Sequence, residues 1–159
     1  MKTFNQYITE LFDKPLEFQE LPWMERNVTV YVFELDDKNY YRVFFKKSGQ
    51  KNQYEISFDH LDKESDVFNP NKGKTLALSG KNSVKVFSTV VATVKDFLSK
   101  NKSVTGFLFT AADESAGRKA LYDRMSKKLA SELKWNQSIY DEDEMTGIIY
   151  RVEKYKAKK

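Results

Sequence analysis

Three side chains able to take up a proton stand close together in the segment 53–60, Gln-Tyr-Glu-Ile-Ser-Phe-Asp-His: Glu55, Asp59 and His60. A carboxylate or imidazole there can serve as a general base, provided its substrate's proton comes within hydrogen-bond reach. His60 is the only histidine and cysteine is absent. No multi-histidine metal centre, thiolate zinc site, disulfide or cysteine nucleophile can therefore be assembled, and we assign no metal-binding residues. A Ser-His-Asp arrangement would have to use His60, and no Gly-x-Ser-x-Gly elbow accompanies it. A lone histidine at a strand end is more often a structural or exposed group than a catalytic one. Carboxylates are plentiful, but none are singled out as the pair that glycoside hydrolysis needs.

Two clusters of charge read as solvated loops rather than sites. Lys46, Lys47 and Lys51 flank Gly49 at an expected hairpin tip. Asp141, Glu142, Asp143 and Glu144 lack the glycine and alternating oxygen ligands of a calcium loop. The overall charge of +4 is local as well. Arg151, Lys154, Lys156, Lys158 and Lys159 against Glu153 account for all of it, so residues 1–150 sum to zero. A basic end of this kind is a solubilising tail, or a weak and salt-sensitive contact to phosphate through residues 151–159.

These groups need a scaffold. A length of 159 residues, 40 % hydrophobic and 14 % aromatic, suits one packed domain. No apolar run approaches the roughly 18 residues of a membrane-spanning helix, and the start lacks the apolar stretch of a secretory signal. Phe4, Tyr7, Ile8, Leu11 and Phe12 predict an amphipathic helix over 3–13. Residues 14–26 read as an irregular connection carrying Leu16, Phe18, Leu21 and Trp23. Residues 28–36, 40–47 and 53–60, rich in β-branched and aromatic side chains and separated by short turns, predict an antiparallel meander. A long loop follows over 61–74, with a short strand expected at 75–79. The period then changes. Val84, Phe87, Val91, Val94 and Leu98 predict a helix over 83–100. A buried strand at 104–110, a helix at 114–134 and a last strand at 146–153 complete the order. A strand–helix–strand step requires a crossover. The expected fold is α/β (α+β), a mixed, mostly antiparallel sheet with helices on both faces. It occupies residues 14–153 as one domain, preceded by a helix or targeting segment at 1–13 and followed by a basic tail at 154–159.

That layout resembles the GNAT acetyltransferases over roughly residues 28–153. The likeness is sharpest in the second helix, where family members carry Asn-x-x-Ala-x-x-Leu-Tyr-x-x-hydrophobic. Ser115-Ala116-Gly117-Arg118-Lys119-Ala120-Leu121-Tyr122-Asp123-Arg124-Met125 matches at Leu121, Tyr122 and Met125, with Ser115 for the Asn and Arg118 for the Ala. The family's Gly-Phe shortly after the Tyr is missing. The resemblance implies acetyl-CoA as cofactor and Tyr122 as general acid toward the CoA thiolate; the alternative for Tyr122 is packing. Glu55 is the candidate base, with Asp59 and His60 as the other acceptors on its strand. The family's pyrophosphate loop, Arg/Gln-x-x-Gly-x-Gly/Ala, corresponds to Leu78-Ser79-Gly80-Lys81-Asn82-Ser83-Val84, which keeps one glycine, a lysine and the helix start. Backbone N–H groups at Gly80, Lys81, Asn82 and Ser83 can face phosphate, or form an ordinary loop into a helix.

The first ten residues, Met-Lys-Thr-Phe-Asn-Gln-Tyr-Ile-Thr-Glu, are similar to the capsid-targeting sequence of internal head proteins in T-even-type bacteriophages. In those proteins a maturation protease cuts after a hydrophobic-x-Glu triplet. Ile8-Thr9-Glu10 fits, with cleavage after Glu10. The other reading is a helix packing Phe4, Tyr7, Ile8 and Leu11 onto the domain. Together the two resemblances imply a phage accessory protein: a GNAT-like scaffold, non-enzymatic, that binds a host or phage protein. It would act in the host cytoplasm or virion interior, with no membrane partner. The alternatives are an acetyl-CoA-dependent N-acetyltransferase and a weak nucleic-acid binder acting through the tail.

Overall fold

The computed structural model describes residues 15–36, 39–75, 81–111, 116–143 and 147–155. The helix expected at 3–13, the processing residue Glu10 and tail residues 156–159 lie outside them, as do residues 76–79 of the short strand. Among the described residues there are eight strands: β1 Phe18–Leu21, β2 Val28–Asp36, β3 Asn39–Lys47, β4 Gln53–Leu61, β5 Lys74–Thr75, β6 Gly106–Ala111, β7 Asn136–Asp143 and β8 Gly147–Glu153. Helix α1 spans Lys81–Lys100 and helix α2 spans Ala116–Leu133. The strands pair in the order β1-β2-β3-β4-β6-β8-β7, with β5 added to β4. β1–β2, β4–β5, β6–β8 and β7–β8 are antiparallel, whereas β4–β6 is parallel. This is the mixed, mostly antiparallel α/β sheet that the sequence predicts. It has two strands, β1 and β7, beyond those that the sequence predicts.

β1 lies inside the segment read as an irregular connection. Proline follows it at 22 and only Leu21 is buried, so so short a run shows no period. It forms by pairing Phe18–Leu21 against Val30–Phe33. The second addition is β7. Asp141 to Asp143 of the acidic run read as a solvated loop form its end, with a register shift between Asp141 and Asp143 where it pairs with β8, and Glu144 lies outside the described residues. Charged side chains suit a strand at the end of a sheet, because they discourage further pairing. A tight reversal leads into β7. Lys134 takes a left-handed φ of 58°. Trp135 N–H donates to the Ala130 carbonyl and Lys134 N–H to Ser131, the bonding of a Schellman cap.

Contacts group the chain into two compact units. One takes the residues up to Phe44 together with Phe58–Lys100; the other takes Phe45–Ser57 and the residues from Asn101 onward. In the first unit, successive residues of β2 face opposite ways. Val30 joins Leu21, Leu61 and Val67 in a small core edged by Trp23, Tyr40 and Phe44. Tyr31 points the other way, toward α1, where Val86, Val90, Val94 and Phe97 are buried. In the second unit, α2 packs on β6, β7 and β8 through Met125 and Leu129, and Phe107 stacks on Trp135 at 5.8 Å.

Tyr31 ends in a polar network. Its hydroxyl donates to Asp96 Oδ2 at 2.7 Å, and Lys100 Nζ lies 2.9 Å from the same oxygen. Burial, then the bond to Asp96, raises the Tyr31 hydroxyl well above the usual phenol range. The Lys100 ammonium, then the Tyr31 hydroxyl, holds the Asp96 carboxyl below its ordinary value of 3.8. A carboxyl whose folded value is depressed stabilises the fold fully above its ordinary value. That contribution is lost as pH falls through the folded value. Thermal melting against pH should therefore show a smaller acid-induced loss in Asp96→Asn than in the parent. Equal losses would mean that this network does not titrate as described.

Candidate functional site

β4 carries all three expected proton acceptors, and the structure separates them. Asp59 belongs to a buried cluster around Arg42, whose side chain is fully enclosed in the middle of β3. Arg42 Nε donates to Asp59 Oδ1 at 2.8 Å and Nη2 to Oδ2 at 2.6 Å. Nη1 donates to the carbonyls of Val67 and Asn69, at 3.0 and 2.8 Å, and the remaining Nη2 proton goes to Lys72 O. All five guanidinium N–H donors thus have acceptors. Trp23 and Phe44 present ring faces 5.6 and 5.2 Å from the guanidinium carbon. Gly73, at φ 141°, closes the loop so tightly that a Cβ would run into the Asp59 carboxylate. Asp59 is therefore committed to binding Arg42 and to shaping the 62–73 loop. The signal for this in the sequence is one arginine within an otherwise apolar and aromatic strand, Tyr40 to Phe45.

His60 points away from Asp59, since neighbours in a strand face opposite sides. Its Nε2 lies 2.7 Å from Asn39 Oδ1, and its ring rests against Tyr41 at 5.1 Å. Glu55 is half-buried in the only stretch of β4 that pairs with β6 among the described residues: Gln53 with Gly106, Tyr54 with Phe107, Glu55 with Leu108. Beyond that stretch β4 continues to Leu61 and β6 to Ala111, and β4 next pairs with β5 at Asp59 and His60. The parallel ladder therefore ends at Glu55.

Tyr122 sits in the middle of α2, half-buried between rings. Phe109 lies 6.0 Å away in a tilted contact, and Tyr150 of β8 stands edge-on at 6.3 Å. Phe109 is the first β6 residue past the last parallel pair, so Tyr122 overlies the place where the ladder ends. Glu55 shares the face of its register partner Leu108, whereas Tyr122 shares that of Phe109. Regular strands thus direct the two candidates to opposite faces of β6. Of the expected phosphate contacts, Lys81, Asn82 and Ser83 open α1, and Gly80 lies outside the described residues. Among the described residues no group of three or more acidic or histidine side chains could hold a metal ion. No described helix is long and apolar enough to cross a membrane.

No family model matches the chain, and no curated protein matches it. Solved structures of acetyltransferases do. An aminoglycoside acetyltransferase, AAC(6')-Ib, in complex with paromomycin and acetyl-CoA aligns with a TM-score of 0.42 at 14 % identity. The alignment covers 80 % of this chain and 64 % of that one, so the chain spans less than two-thirds of its length. The ribosomal-protein-S5-alanine acetyltransferase of Vibrio fischeri aligns with a TM-score of 0.39 at 10 % identity, covering 79 % of this chain and 60 % of that one.

Proposed function

We propose that the chain is an acetyl-CoA-dependent N-acetyltransferase. The observation that carries this reading is the early end of the parallel β4–β6 ladder beneath Tyr122. Strands that stop pairing while both run on leave backbone N–H and C=O groups for another extended partner. An amide-bearing chain such as the pantetheine arm of CoA is a partner of that kind. The resemblance gives Tyr122 the proton for the departing thiolate and the α1 N-terminus the phosphates. An N-terminal helix end favours anions through its free N–H groups and dipole. Glu55 serves as base in this scheme only if the acceptor amine reaches the Leu108 face.

Calorimetry of the full chain with acetyl-CoA tests the reading. Saturable binding is expected. Absence of binding at about 1 mM ligand, an affinity weaker than about 4 kcal/mol, overturns it.

A second reading rests on Met1–Glu10 and Ile8-Thr9-Glu10: a bacteriophage accessory protein packaged in the head or acting in the host cytoplasm through a protein partner. Cleavage between Glu10 and Leu11 by a phage prohead protease supports it, and an intact chain overturns it.

A further inference from the structure

A cavity of about 480 Å³ opens beside β1, bounded by β2, β3 and the loop after β4. Its floor is apolar. Leu21, Val32, Tyr40 and Val67 line it and continue the small core around Val30 and Leu61. Phe68, 57 % exposed, adds an aromatic surface at its margin. Every ionisable carboxylate or ammonium side chain in the lining is a glutamate: Glu17, Glu34 and Glu64. All three are exposed, and none makes an ion pair with a cation among the described residues. The rim is thus a concentration of negative charge on a chain whose residues 1–150 are neutral.

The neighbouring backbone adds a second requirement. β1 is last in the strand order, so one edge of Phe18–Leu21 faces no other strand among the described residues. Such an edge presents unpaired N–H and C=O groups that an extended chain can meet. A small amine would satisfy the glutamates and leave that edge unused. A peptide satisfies both: Val32 and Glu34 are two apart in β2 and share a face, so the side chains on the inner face of the peptide, apolar and basic by turns, meet the floor and the glutamates together.

We propose that this groove docks an extended basic peptide segment, its backbone along β1, its apolar side chains on the Leu21–Val67 floor and its lysines or arginines on Glu17, Glu34 and Glu64. Neither Tyr122 nor Glu55 lines the groove, so the docking stands whether or not the chain transfers acetyl groups.

The test is fluorescence anisotropy of the full chain with a labelled short peptide whose every second residue is lysine or valine by turns, the residues between them serine, in buffer without acetyl-CoA. Saturable binding is expected, weakening as salt rises because exposed charges are screened within about 10 Å at 0.1 M. The combined Glu17→Gln, Glu34→Gln and Glu64→Gln variant should bind about tenfold more weakly, as three exposed pairs of modest strength imply. Phe68→Ser should also weaken binding while leaving the salt dependence unchanged, which separates apolar from charged contacts. Thermal melts confirm that both variants fold. Several results would each overturn the proposal: no binding to the full chain, an unchanged affinity in the triple variant, or equal binding of a glutamate–valine peptide. Displacement of the peptide by spermine at equal concentration would replace it with a polyamine site.

Discussion

Replacing Arg42 with methionine is expected to lower stability by about 3–5 kcal/mol, the usual result of removing one partner from a buried ion pair. The reason is what the substitution leaves behind. Asp59 loses both of its guanidinium bonds, and the carbonyls of Val67, Asn69 and Lys72 lose their donor together. Arg42→Lys should recover only part of the loss, because one ammonium cannot match two carboxylate oxygens and three carbonyls at fixed positions. Removing the charge pair altogether, as Arg42→Met with Asp59→Leu, should be milder than Arg42→Met alone, although the loop carbonyls still lack a donor. Urea unfolding of the three variants measures the series. A loss below about 1 kcal/mol for Arg42→Met would mean that water replaces the guanidinium in the loop, and would remove the structural role assigned to Asp59.

Tyr122→Phe carries the second large effect. The substitution keeps the ring between Phe109 and Tyr150 and deletes only the hydroxyl, so packing is preserved. If that hydroxyl protonates the departing thiolate, kcat should fall by about a hundredfold or more, the lower range of general-acid contributions. KM for acetyl-CoA should stay close to the parent value, because the lost interaction matters in the transition state rather than in binding. Tyr122→Ala would instead lose packing and confuse the two effects. Steady-state acetyl transfer to an amine acceptor measures the split. A Phe variant with parental kcat would return Tyr122 to a packing role and leave the reading without an acid.

The elements that the sequence revealed were those with a strong internal period. β2 ends where expected because Val28–Asp36 is a run of β-branched and aromatic residues. α1 is legible despite its valines because Val90, Val94 and Phe97 recur at helical spacing over many turns. Its threonines fit the helix by bonding back to it, Thr89 to the Lys85 carbonyl and Thr93 to the Val90 carbonyl. β1 and β7 were not legible, since neither has a period of its own. β1 depends on the Val30–Phe33 partner that it meets, and β7 on a reversal at Lys134, a residue type that seldom adopts positive φ. The candidate site was legible by residue type but not by role. Asp59 and Glu55 look equivalent in the segment 53–60, and only the fold reveals that one is bound to a buried arginine while the other stands at the end of a ladder. The groove beside β1 left no pattern, because its glutamates are 47 positions apart at the extremes, Glu17 to Glu64, and only tertiary structure gathers them.

The threading of the chain between the two compact units bears on how the protein is made. The hairpin Phe45–Ser57 belongs to the second unit, yet it is synthesised between portions of the first. Its parallel partner β6 begins at Gly106, after the whole of α1. On the ribosome the hairpin therefore emerges well before the strand that completes it. Pairing across such a distance in sequence is slow, because loop closure must precede any gain from the contact. A fragment ending near Lys100 would expose the edge of β4 that β6 normally covers, and truncation there should favour aggregation rather than an autonomous half.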